Sequence, residues 1–260
     1  MAMQRVLITG AAGKVAGLLI PYLQTEYELI FTDAREPKTA LTPFIKAQLE
    51  DYQALLELCQ GVDTVLHLGA LDYDIDWQLQ VAPNIIGVQH ILLAARAAKC
   101  RRVILMSSVQ AVWGHMHQPI LETDAPYPTN FYGASKAFAE ALARVHSHDR
   151  ALSVICVRLG AVLSKNDARL HRHDQQLKIS LTERDLMQLI GLCLETDQHF
   201  AIVHGVSDNQ NNPFSLEATK VLLGFQPKDD AVALAAKNWL GGLLWQSRRV
   251  KNYLKKRFFG

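Results

Sequence analysis

The chain has 260 residues, 49% of them hydrophobic and 20% charged, with 15 Gly and 9 Pro. This is the composition of a folded domain with a large apolar core, at a length suited to one compact domain with a small appendage, and it excludes disordered chains, collagen-like chains and short adaptor modules. The formal net charge of +2 is too balanced for a general polyanion binder, so nucleic acid is not an expected partner.

Val6 to Ile8 is a β-rich run that ends in Thr9-Gly10-Ala11-Ala12-Gly13, and Val15, Leu18, Leu19, Tyr22 and Leu23 then recur at helical spacing. Glu28 to Thr32 predicts a second strand closed by Asp33, and Tyr52 to Cys59 a helix leading to a strand at Thr64 to Leu68. A helix over Asn84 to Ala98 precedes the near-continuous apolar strand Arg102 to Met106. A helix over Tyr132 to Val145 precedes the strand Ser153 to Arg158. Strands apolar on both faces suit a parallel sheet covered by helices on both sides. Beyond Gly160, Ser164 to Lys178 is polar and basic and reads as a long loop. Leu181 to Leu194 predicts a helix capped by Thr182, Phe200 to His204 a late strand, and Asp229 to Phe259 a helix with a cationic end. Cys59, Cys100, Cys156 and Cys193 form no CxxC pair and sit among apolar neighbours, as buried thiols of a reducing compartment do. No apolar run approaches the roughly 20 residues of a membrane span and the N-terminus has no signal-peptide plan, so a cytoplasmic protein is expected.

Gly10-x-x-Gly13-x-x-Ala16 opens a helix directly after the first strand, where backbone N–H groups and the positive helix end can hold a diphosphate. Asp33 lies 20 residues beyond Gly13 at a strand end, placed for a carboxylate to accept ribose hydroxyls. Together these point to a dinucleotide. The carboxylate favours NAD over NADP, although Arg35 nearby could pair with a phosphate. Tyr132 and Lys136, four apart on a predicted helix, share a face, and the ammonium favours a phenolate able to exchange a proton near neutral pH. Ser107 and Ser108 end a strand at the carboxyl edge of the sheet, where they either meet a ligand or cap a turn.

These motifs, with HLGA from His67, Asn84 in PNIIG, SSVQAVWG from Ser107, YGASK from Tyr132 and RLGAV from Arg158, resemble the extended short-chain dehydrogenases/reductases of the NAD-dependent epimerase/dehydratase type over nearly the whole chain. The resemblance implies a Rossmann-type α/β fold, a doubly wound parallel sheet with a small C-terminal substrate region. Residues 1–160 would form the NAD-binding core carrying the catalytic residues. Residues 161–260 would form the reduced substrate region and basic helix, packed on the core as one domain. It further implies Tyr132 as general acid/base, Lys136 tuning it and binding the nicotinamide ribose, and Ser108 orienting the reacting oxygen, with Ser107 the alternative because SSVQAVWG is one residue longer than the common form. The implied NAD surface is Gly10, Ala12, Gly13, Lys14, Val15, Asp33, Gln48, Leu49, Leu68, Gly69, Ala70, Asn84, Tyr132 and Lys136. Gln48 stands where the family usually has an acid near the adenine.

The overall length, GAAG, HLG, NIIG and YGxSK, together with LGFQPKDDA from Leu223, resemble the uronate dehydrogenase branch of that family. Positions that contact the sugar acid there read here as Asp72, Val109, Gln110 and Ala161. Arg169 and Arg172 in the basic excursion either clamp an anionic substrate group or are solvated. The expected activity is NAD-dependent oxidation of a hydroxyl or hemiacetal of a sugar or sugar acid. The alternatives are a sugar epimerase or reductase, or a non-catalytic NAD(H) sensor, against which Ser108, Tyr132 and Lys136 together argue. A homo-oligomer is possible. His115/His117, His146/His148 and His171/His173 lack companion ligands and read as exposed loop histidines, so no metal is expected. The tail from Arg248 to Arg257 is a weak candidate for an anionic lipid surface, and a helix packed on protein is the preferred reading.

Overall fold

Apolar residues on both faces of successive strands require helices above and below the sheet. A computed structural model shows that arrangement, and the residues it describes are 3–71, 76–115, 118–171 and 175–238. In chain order the first half is β1 (Arg5–Thr9), α1 (Lys14–Leu23), β2 (Glu28–Asp33), β3 (Phe44–Lys46), α2 (Tyr52–Leu58), β4 (Thr64–His67), α3 (Trp77–Gln80), a π turn at Val81–Ile86, α4 (Gly87–Ala97) and β5 (Arg102–Ser108). After a 3-10 turn at Val109–Ala111 come α5 (Phe131–Ser147), β6 (Ser153–Leu159), β7 (Ala161–Leu163), β8 (Ser180–Thr182), α6 (Glu183–Glu195), β9 (Phe200–Gly205) and α7 (Glu217–Leu223). The sheet order is β3-β2-β1-β4-β5-β6-β9, with every pairing parallel. This is the parallel, helix-covered sheet that the strand patterns predict and the doubly wound Rossmann plan that the family resemblance implies.

Alternate strand residues serve the two cores. Ile8, Leu66, Ile104 and Val157 pack with Leu19 and Leu23 of α1 and Leu189 and Ile190 of α6. Leu7, Val65, Leu105 and Cys156 pack with Leu55 of α2, Ile91 and Leu92 of α4, and Ala139 and Ala143 of α5. Burying each such Leu or Ile contributes about 1.5–3 kcal/mol, so the strand ends are held firmly enough to position a site. All four cysteines are free and buried.

The sequence reading differs from the structure at several places. The strand β3 and the helix α7 escape it, because three largely exposed residues and seven residues carry too little periodicity. The helix expected from Asn84 begins with the π turn. The polar excursion contains 3-10 turns at Ala168–His171 and Gln175–Ile179, and it buries Leu170 and Leu177 with Leu163, Ala231 and Ala235 in a small core of its own. His146 is no loop histidine: it lies in the last turn of α5 and is buried, its Nε2 3.4 Å from Gln89 Oε1. The expected C-terminal helix is present at 231–238, and its basic continuation lies outside the described residues. Among the described residues no helix is long and apolar enough to cross a membrane, and no group of three or more His, Cys, Asp or Glu side chains could hold a metal ion.

Candidate active site

The chain leaves β1 toward β2 on one side and reaches β4 on the other, so a crevice opens at the carboxyl ends of these strands. Gly10 sits there with φ 68°, and a Cβ on it would come within 2.6 Å of the Gly69 nitrogen. Only glycine tolerates both the angle and the approach. The residue before α1 is Gly13, so no side chain caps the first N–H groups of that helix, and these donors are left for an anion. At the end of β2, Asp33 accepts the Ala12 N–H through Oδ2 at 3.0 Å and the Arg35 N–H through Oδ1 at 2.9 Å. Its carboxylate is thus fixed against the glycine turn, with the exposed Arg35 guanidinium 3.9 Å away. Gly10, Gly13, Lys14 and Val15 line a cavity of about 950 Å³, near the upper end of the roughly 300–1,000 Å³ typical of ligand sites. Leu68 and Ala70 line it too, Leu49 packs against Gly69 and Gly87, and Gln48 is exposed. An uncapped helix start, a glycine cradle that a Cβ would fill and a fixed carboxylate suit the diphosphate and ribose of NAD.

The far end of the same cavity holds Ser108, Tyr132 and Lys136. Asn130 caps α5, its Oδ1 accepting the Gly133 N–H at 2.7 Å, and this starts the helix one residue before Tyr132. Gly133 is required by closeness, since a Cβ there would lie 2.5 Å from the Gln110 carbonyl oxygen. One turn on, Lys136 Nζ donates to the Met106 carbonyl at 2.9 Å and stands 5.5 Å from the centre of the Tyr132 ring. The Ser108 hydroxyl accepts the Gln110 N–H at 3.2 Å, and among the described residues its own O–H has no acceptor, so it can donate to a ligand oxygen. Ser107 instead donates to Glu140 at 2.6 Å. Asn84, 1% exposed, accepts the Leu71 N–H and donates to the Leu71 carbonyl and to Ser135 on α5, clamping the π turn between Leu71 and α5. Behind β4, burial and then the Lys136 charge push His67 down to about 3, so it is neutral wherever the site works.

Of the positions expected to contact substrate, Val109, Gln110 and Ala161 line the cavity, Gln110 accepting an Asn130 amide N–H at 2.7 Å. Asp72 and Arg172 lie outside the described residues. Arg169 lines the cavity, but its guanidinium is engaged within the chain. Nε and Nη2 each donate to Asp167 at 2.9 Å, and Nη2 also to the Val162 carbonyl at 3.1 Å. Lys14 Nζ, from the glycine turn, meets the same carboxylate and the same carbonyl at 3.1 Å each. Asp167 therefore straps the excursion to α1, and the Arg169 bonds foremost hold its carboxyl well below the usual range. Sequence reasoning missed this strap, and also Asn130, Thr129 and Trp113, which line the cavity. A signal existed for Asn130, an Asn directly before a helix start.

The NAD dependent epimerase/dehydratase family matches residues 6–186. The chain is 29% identical over 250 residues to the NAD-dependent glucose-6-phosphate dehydrogenase of Haloferax volcanii, covering 88% of this chain and 94% of that one. It is 28% identical over 243 residues to a uronate dehydrogenase of Pseudomonas syringae, covering 90% and 85%. A solved structure of a mutant uronate dehydrogenase from Agrobacterium tumefaciens, complexed with NAD, matches with a TM-score of 0.81 at 26% identity, over 91% of this chain and 89% of that one. Family match, fold and glycine turn agree: the chain belongs to the NAD dependent epimerase/dehydratase family and is an NAD-dependent dehydrogenase/reductase of the extended short-chain type.

Proposed function

We propose that the protein oxidises a hydroxyl of a free sugar or sugar acid, the hemiacetal hydroxyl foremost, and that Tyr132 takes the hydroxyl proton. The observation that carries this reading is the meeting of Ser108, Tyr132 and Lys136 in the cavity that begins at the glycine turn. The glycine turn at Gly10 and Gly13 would hold NAD, which would supply the hydride acceptor for the carbinol carbon. The chain supplies the rest. The Ser108 O–H orients the substrate oxygen, the Lys136 ammonium favours the Tyr132 phenolate, and the phenolate receives the proton as the C=O bond forms. A hemiacetal would leave as a lactone. The strap residues Lys14, Arg169 and Asp167 sum to one positive charge at the cavity wall, which suits an anionic group such as a carboxylate or phosphate. The relatives that act on uronates and on glucose 6-phosphate support the same choice.

The test is a panel of D-glucuronate, D-galacturonate, D-glucose 6-phosphate, L-arabinose and UDP-glucose with NAD, followed by NADH absorbance. The acidic free sugars should be the best substrates. Tyr132→Phe should abolish turnover and leave NADH affinity nearly unchanged, since it removes only the proton acceptor. Full activity in that variant, or turnover of the sugar nucleotide alone, would overturn the reading.

A further inference from the structure

Tyr132, Lys136 and Glu140 follow one another at intervals of four along α5, and all three are buried. The Glu140 carboxylate has no part in the chemistry above, yet it is the most densely bonded group behind it. Its Oε1 accepts the Ser107 hydroxyl at 2.6 Å and Arg158 Nε at 2.9 Å, and its Oε2 accepts Arg158 Nη2 at 2.9 Å. Arg158, with its side chain 1% exposed, also donates to the carbonyls of Glu122 at 3.2 Å and Asp124 at 3.5 Å. Ser107 and Arg158 are register partners on β5 and β6.

We infer that Glu140 and Arg158 are positioning residues for the reaction: they fix the rotation and height of α5 against β5 so that the Tyr132 and Ser108 hydroxyls meet on one substrate oxygen. Three successive residues of β5 carry the argument. The Met106 carbonyl takes Lys136, the Ser107 hydroxyl takes Glu140, and Ser108 faces the cavity. A helix pinned to a strand at two points one turn apart can neither slide nor roll. The other end of the guanidinium holds the chain at 122–124, which runs on to Asn130, the cap that starts α5. One side chain thereby sets the helix at its start and at its third turn.

Stability alone is a poor account of this pair. Removing two charges from water costs about as much as their attraction returns, and an apolar pair of similar volume holds a fold as well. What apolar residues lack is direction, which a two-bonded guanidinium fork supplies. Direction matters for the reaction, where a displacement of about 1 Å costs about a hundredfold in rate.

The inference rests on Tyr132 as the acid/base, and the experiment separates the two. Glu140→Gln keeps the shape and an acceptor for Ser107 but loses the charged fork, and Arg158→Lys keeps the charge but loses the fork. Each should lower kcat about ten- to a hundredfold on the best sugar of the panel, with KM and the NADH dissociation constant within about threefold of the unaltered protein. The double variant Glu140→Leu/Arg158→Met should recover most of the thermal midpoint lost by either single variant and none of the rate. Ser107→Ala, the mildest change, should fold normally and lose rate in the same sense. Single variants with kcat within threefold of the unaltered protein, or a double variant whose rate recovers together with its melting temperature, overturn the inference. Inactive Tyr132→Phe beside fully active Glu140→Gln overturns the positioning role alone. Active Tyr132→Phe overturns the proposed function, and this inference with it.

Discussion

Replacing Asp33 by Asn isolates the charge proposed to choose the coenzyme. The carboxylate sits at the end of β2 and is held by the Ala12 and Arg35 N–H groups, so it cannot swing away from a phosphate brought to the ribose. At a separation of about 5 Å and an effective dielectric of about 20, one carboxylate and one phosphate charge repel by about 3 kcal/mol. That is about a hundredfold in affinity. The exposed Arg35, close to Asp33 in the unaltered chain, becomes available to a 2′-phosphate once the carboxylate is gone. Asparagine retains one acceptor oxygen and so keeps one of the two backbone bonds, at a cost of about 1 kcal/mol to the fold, seen as a fall in Tm of roughly 2–4 °C. Fluorescence titrations with NADH and NADPH, on the same protein at the same ionic strength, read the ratio directly. The unaltered protein should prefer NADH, and Asp33→Asn should reduce that preference by about a hundredfold. A ratio that is the same in both proteins would refute the placement of Asp33 at the ribose.

Asp167→Asn removes the shared counter-charge of Lys14 and Arg169, so NADH should bind several-fold tighter at low salt, with the gain fading as salt is added; an unchanged affinity in low salt would show that these charges do not act on the cofactor. Gly133→Ala forces a Cβ onto the Gln110 carbonyl and should move the start of α5, lowering kcat far more than NADH affinity, as steady-state rates set against the same titrations will show. His67 is held at about 3 and His204 is likewise lowered by burial, whereas both titrate near 6.5 in the unfolded chain. The unfolded state takes up these protons first, so stability is full above about pH 6.5 and falls below it, by about 1.4 kcal/mol per pH unit for His67, with His204 acting in the same direction. Urea midpoints between pH 7 and 4 should follow that slope, and His67→Gln should make it shallower; an unaltered slope would remove His67 from the account.

The parallel sheet was legible because a strand buried on both faces must be apolar throughout, and RVILM and SVICVR have no other comfortable use. That Tyr132 and Lys136 share a helix face and that Ser107 and Ser108 end a strand are local properties and could be read from spacing, whereas the roles expected of them came from the family resemblance. Contacts across the chain were not. Lys14 and Asp167 lie 153 positions apart, and Glu140 and Arg158 read as an ordinary helix acid and a strand cation until the helix is laid on the sheet. Arg169 shows the opposite failing. Asp167, two residues before it, was in plain view, and an Asp so near an Arg competes with any substrate for its fork.

The π turn at Val81–Ile86 makes chain length, rather than residue identity, the quantity on which Asn84 depends. A helix turns about 100° per residue, and the π turn absorbs the extra residue that separates the phase of α3 from that of α4. Deleting one residue between Gln80 and Gly87 would let the two helices fuse into one regular helix, with Ile91, Leu92 and Ala95 still seated in the core. Asn84 would be turned away from Leu71 and Ser135, and the edge of the cavity would lose its tie to α5. Such a shortened chain would fold on an intact sheet and fail at its site, with every side chain of the cavity still present in the sequence.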